Sequence, residues 1–233
     1  MRRAGVPVAF SQGFTPHPKI SYASAAPTGV ASEAEYLEIG LQQPVEPAAL
    51  RAALDAVLSP GLDVLDAVVA GSGSLADRID ASRWRVELPG VEPDVARAAV
   101  SAFLAASEVL VERMTKQGRR VFDSRAAVTT FDVIERTEAP SGVAGVPCAI
   151  LEVVVRQVTP SVRPDDVLSG LRVVADLEPP VPPRATRLAQ GTLTAQGRSS
   201  IRWRRIATGP PSANASRKSG RRSGRQTSAT RSP

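Results

Sequence analysis

Between Phe10 and Glu38 the chain gathers its only histidine, both tyrosines and two of its five phenylalanines. Ser11, Gly13, Phe14, Pro16, His17 and Lys19 fall within nine residues, and Tyr22, Glu33 and Glu35 follow. Each type brings a distinct capacity. Gly13 lets a ligand approach the backbone, Lys19 can hold an anion, and Phe14 or Tyr22 can stack on a planar group. His17 titrates near neutral pH and is the candidate for general acid or base chemistry, with Glu33 and Glu35 able to orient it or to accept hydrogen bonds from a ligand. The same residues also suit a rigid surface loop stiffened by Pro16 and Pro18, with no chemistry of its own.

Other chemistries are excluded by counting. A single histidine and a single cysteine, His17 and Cys148, cannot make a Cys/His zinc site, and the three cysteines of a radical S-adenosylmethionine cluster are absent, so no metal or cofactor is expected. There is no phosphate-binding GxxxxGK[ST] loop, and the glycines at 71 and 73 are followed by Ala76 where GxGxxG needs its third glycine. Nothing here marks an independent enzyme. No stretch approaches 18 consecutive apolar residues, and the thiol-poor composition fits a soluble cytoplasmic protein with no membrane partner.

Charge points toward nucleic acid. The formal charge is +6, and Arg217, Lys218, Arg221, Arg222, Arg225 and Arg231 account for all of it, leaving a body with equal numbers of basic and acidic residues. Within that body Arg2, Arg3 and Lys19 precede the first acid, Glu33, while Arg202, Arg204 and Arg205 surround Trp203. Both groups combine cations with aromatic rings, the pairing that contacts phosphates and stacks bases. An exposed edge strand bearing arginines reads the same way.

These residues need positioning elements. Arg2 and Arg3 suit a last helical turn, Gly5 the left-handed position after it and Pro7 the point where a helix cannot continue. The opening is therefore expected to be the end of a helix, with an upstream strand and most of that helix missing from a chain truncated at its N-terminus. Val6–Ser11 reads as a short strand, 12–18 as a loop, Lys19–Ser24 as an extended run, 25–32 as a turn and Glu35–Leu41 as a half-buried strand. A helix from Pro47 to about Leu58 presents Leu50, Leu54, Val57 and Leu58 on one face, and Leu62–Ala70 follows as a strand.

GSGS at 71–74 reads as a joint, after which the pattern repeats. Ser82–Leu88 is expected as a strand with Trp84, Val86 and Leu88 on one face, and Glu92–Ser107 as a helix with Val95, Ala99, Phe103 and Leu104 inward. Glu108–Met114 reads as a strand, Arg120–Arg136 as one long bent strand, Val146–Val158 as a central strand burying Cys148, and Arg163–Ala175 as a helix. Prolines from 179 to 183 form a stiff connection, Ser199–Ile206 is expected as an edge strand, and the chain after Thr208 as disordered. The fold class is α+β: two ferredoxin-like units packed side by side, residues 1–70 and 75–207, with a basic tail at 208–233.

The run RRAGVPVAFSQGFTPHPKISYASAAPTGVASEAEYLEIGL resembles the start of a radical-SAM-linked bacterial family, domain of unknown function 2344, in its actinobacterial branch. The resemblance covers residues 1 to about 70 closely and extends loosely to about 195. It rests on Ser11, Gly13, Phe14, Pro16, His17, Pro18 and Lys19, then Gly29, Ser32, Glu33 and Glu35. It implies an upstream strand and a serine-histidine or histidine-arginine-aspartate motif that this chain lacks, and it implies a radical SAM protein or ribonuclease E/G as a partner. The leading expectation is an accessory module binding RNA or another substrate for such an enzyme. The alternatives are a small enzyme or cofactor-handling domain around His17 and Glu33, and a protein-interaction partner of a ribonuclease.

Overall fold

A computed structural model of the protein describes residues 1–71, 73–116, 118–135 and 146–193. The edge strand and disorder expected beyond residue 198, and with them Arg202, Trp203, Arg204 and Arg205, lie outside the described residues. The chain is a mixed α+β protein. Its strands are β1 (Ile20–Ala23), β2 (Ala31–Ser32), β3 (Tyr36–Ile39), β4 (Ala81–Pro89), β5 (Leu110–Thr115), β6 (Gly118–Asp123), β7 (Val128–Ile134), β8 (Cys148–Arg156) and β9 (Arg184–Gly191). Its α-helices are α1 (Pro47–Asp55), α2 (Pro93–Ala105) and α3 (Pro164–Ala175). None of the described helices is long and apolar enough to cross a membrane.

The central sheet has the order β2-β9-β4-β8-β7; β2 joins β9 in parallel, and every other neighbouring pair is antiparallel. β4 alternates as expected: Trp84, Val86 and Leu88 are buried, and Arg83, Arg85 and Glu87 belong to the opposite face. Both long helices pack against the apolar side. α2 buries Ala96, Ala99, Val100 and Phe103, an i, i+3, i+4, i+7 stripe, and α3 buries Val167 and Leu171. Phe103 meets Phe131 of β7 edge to face, with ring centroids 5.5 Å apart and planes at 89°. Each long helix starts on a proline, Pro93 or Pro164, where the missing N–H has no intrahelical partner to lose.

Several expectations need correction. Val95 is 53% exposed, because the stripe that faces the sheet starts one residue later, at Ala96. The single bent strand over Arg120–Arg136 is two strands of different sheets, since β6 pairs with β5 and β7 with β8. Asp123 makes the break: its carboxylate accepts hydrogen bonds from the amides of Val109, Arg125 and Ala126, and the buried Ser124 hydroxyl donates to the Val109 carbonyl. Cys148 is half-buried at the start of β8. Val6–Ser11 forms isolated bridges, Val8 with Leu41 and Phe10 with Pro18, and no continuous strand.

Leu62–Ala70 forms no strand, because among the described residues no neighbouring strand pairs with it. One strand that sequence reading missed, β9, is second in the central sheet. The helix end at the opening is present as a single 3-10 turn, Arg2–Ala4, with Gly5 in the left-handed region at φ 64°.

Gly170 marks the tightest helix contact. A Cβ there would lie 2.6 Å from the Phe103 ring and 3.0 Å from the Ser124 hydroxyl oxygen. The substitution Gly170→Ala is expected to cost about 1–3 kcal/mol through overpacking, despite the better helix propensity of alanine, as read by urea denaturation.

Candidate functional site

The loop carrying the candidate residues is a closed hairpin tip on the surface. The Ser11 amide donates to the His17 carbonyl at 2.8 Å, and the His17 amide donates to the Ser11 hydroxyl at 3.0 Å. Gly13 sits at φ 125°, a conformation that only glycine adopts without strain. Below the tip the strands converge: Lys19 donates to Ala9, Ala9 to Gly40 and Gly40 to Lys19, each through the backbone. Gly40 is required there, since a Cβ on it would fall 2.9 Å from the Lys19 Cβ. The chain then forms the β1–β3 ribbon, with Tyr22 opposite Leu37.

This arrangement leaves rings and cations on the outside. Phe14 is fully exposed, Phe10 and Tyr22 are more than half exposed, and Lys19, Arg2 and Arg3 are exposed. Pro16, His17 and Glu33 are exposed as well, and Ser11 is half-buried, engaged by the loop closure. Among the described residues no hydrogen bond or ion pair joins His17 to Glu33 or Glu35. An open groove does exist between α2 and β7, beside Arg97, Ser101, Leu104 and Asp132, but no residue of the N-terminal loop lines it.

Glu35 has a different task. Its carboxylate pairs with Arg187 of β9, a guanidinium only 2% exposed. Arg187 also donates through Nε to the Ser32 hydroxyl at 3.2 Å and through Nη1 to the Ser24 carbonyl at 2.5 Å. The guanidinium lies over the Trp84 ring, 5.4 Å from its centroid. Its backbone contributes too, the Glu33 amide donating to the Arg187 carbonyl at 2.8 Å. Two further contacts tie down the same segment: Gln190 Nε2 donates to the Ala34 carbonyl at 2.6 Å, and Gln157 Nε2 to the Ser24 hydroxyl at 2.8 Å. Ser24 is held at φ 49°, a left-handed conformation unusual for a residue with a side chain.

Burial alone would raise the Glu35 carboxyl above its ordinary value. Hydrogen bonds from Ser32 and Arg187, the Arg187 charge and the Ala26 amide outweigh that effect and hold it lower. The structure thus separates the sequence candidates. Phe14, Tyr22, Lys19 and His17 face solvent on the ribbon and its tip, whereas Glu35 and Ser32 fasten the ribbon to the sheet. Arg187 and Gln190 were not among the candidates, and their only sequence signal is a pair of polar residues within a run that a strand would bury.

With this geometry in place the comparisons are informative. A model of the family described as an uncharacterized protein conserved in bacteria, DUF2344, matches residues 1–164. The chain belongs to this family. No curated protein and no solved structure matches it. The matched span of the DUF2344 domain contains Ser24, Ser32 and Glu35 but ends before Arg187, so the anchor joins the family region to a strand beyond it.

Two outcomes follow from the anchor. Arg187→Ala is expected to cost about 3 kcal/mol or more by urea denaturation, because it removes a buried cation and leaves its partners unmatched. A lowered carboxyl contributes stability above its unfolded value and loses it as pH falls through the folded one. Amide exchange protection of residues 24–35 is therefore expected to hold from neutral pH down to about pH 5 and to drop on further acidification. Glu35→Gln should remove that pH dependence.

Proposed function

We propose that this DUF2344 protein is an accessory RNA-binding module that holds a single-stranded segment along its N-terminal loop and ribbon. The observation that carries the proposal is the exposure of Phe10, Phe14 and Tyr22 beside Lys19, in a stretch that contains no acid before Glu33. Fully exposed rings contribute nothing to a core, and rings interleaved with cations offer bases a stacking surface and phosphates a counter-charge. The exposure of His17 and Glu33 favours binding over chemistry at the loop. The partner we propose is the enzyme that acts on the RNA, a radical SAM protein or ribonuclease E/G, in keeping with the family resemblance.

We also infer that residues 81–191 form a ferredoxin-like unit. Setting the β5–β6 ribbon aside, the elements run β4, α2, β7, β8, α3, β9 with β4 and β8 central, and this order supports the assignment. Such a unit gives the β9 edge a rigid backing, which a stacking surface fastened to that edge requires. The fold by itself argues for no particular ligand.

The test is filter binding of short single-stranded RNA to the full chain. Phe14→Ala and Tyr22→Ala are each expected to weaken binding by about fivefold or more, with unfolding midpoints unchanged because both rings are exposed. Lys19→Ala is expected to flatten the log–log salt dependence by about 0.7 if it neutralises one phosphate. Binding by the wild type no tighter than that of a peptide of residues 208–233 would overturn the proposal.

A further inference from the structure

The segment 62–70 is at odds with its surroundings. It runs without helix, turn or bend, and its apolar side chains are exposed on both alternating faces: Leu62 60% and Val68 46% on one, Leu65 61% and Val69 76% on the other. Its start is fixed. The Val64 amide donates to Asp55 Oδ1 at 2.8 Å, and the Val64 carbonyl accepts from Arg51 Nε at 2.8 Å, so two side chains of α1 hold the segment in place. Beyond Val64, among the described residues, the backbone of 65–70 makes only one local contact, the Ala67 amide with its neighbour Asp66. An anchored, straight, β-branched segment with unpaired backbone and two apolar faces has the features of a strand awaiting a neighbour.

Charge narrows the choice of neighbour. From residue 52 to 77 the chain has four acids, Asp55, Asp63, Asp66 and Asp77, and no lysine or arginine. Pairing with the same segment of a second copy would bring two acidic strands together, with Asp63 and Asp66 near their counterparts, and like charges across a strand pair are destabilising. We propose that residues 62–70 are a docking edge for a single β-strand of another polypeptide, apolar along its length and flanked by basic residues. The incoming strand pairs with the free amides and carbonyls of 65–70 and covers Leu65 and Val69, while its basic residues meet Asp63 and Asp66. This surface does not depend on RNA binding by the ribbon.

The test is hydrogen exchange of the full chain, with and without a nine-residue amidated peptide of valine and threonine bearing two arginines at each end. Amides 65–70 are expected to exchange freely in the chain alone and at least tenfold more slowly with saturating peptide, while β8 amides do not change. Leu65→Asp together with Val69→Asp should abolish the protection without altering β8, since both side chains are exposed. A counterpart peptide with glutamates for arginines should give none. Amides 65–70 already protected in the isolated chain, whether by its own residues or by self-association at higher concentration, overturn the proposal. Equal protection by both peptides, or by neither, overturns it as well.

Discussion

A single buried guanidinium holds two parts of this protein together. Arg187 reaches from β9 to Ser24, Ser32 and Glu35 while its plane covers Trp84, so one side chain joins the central sheet to the segment that carries the ribbon. Arginine suits this role because its planar fork serves several acceptors at once and stacks on an aromatic face. β2 is only two residues long and pairs with β9 at the sheet edge, too little backbone to fix the ribbon without that side chain. The left-handed conformation at Ser24 is tolerated because its carbonyl and hydroxyl are both engaged.

The anchor explains the division of labour in the N-terminal region. Residues that look like one cluster in sequence face two ways in space. Ser32 and Glu35 turn toward the sheet and are occupied by structure, whereas Phe14, Lys19 and Tyr22 turn outward and are available to a ligand. Carboxylates near a histidine invite an acid-base reading, but the partner of Glu35 is an arginine some 150 residues away in sequence, at a separation of 152. What the region offers chemically is recognition: rings for stacking, cations for phosphate, and a glycine-dependent tip with a fixed shape.

Much of this was legible in the sequence. The alternation Trp84, Val86, Leu88 gave β4 its buried face, the run Cys148–Arg156 announced a central strand, and Pro164 placed the start of α3. Gly5 and Gly13 both lie at the positive φ that their contexts suggested. Failures cluster where polar atoms satisfy the backbone. Asp123 and Ser124 interrupt what apolar content alone reads as one strand, and Arg187 and Gln190 point inward from β9, breaking the alternation by which a strand is recognised. Leu62–Ala70 has strand composition and no strand partner among the described residues, because composition reports a tendency and pairing requires a neighbour.

The central claim is that the outward ribbon, held by Arg187, is the surface that meets RNA. Its most direct test is chemical-shift mapping of the isotope-labelled full chain titrated with a short oligouridine at near-physiological salt. The account requires the largest shifts at Phe10, Phe14, Lys19 and Tyr22, with saturation in one phase and β8 unmoved. Shifts confined to residues beyond 207, with the ribbon silent, would contradict it.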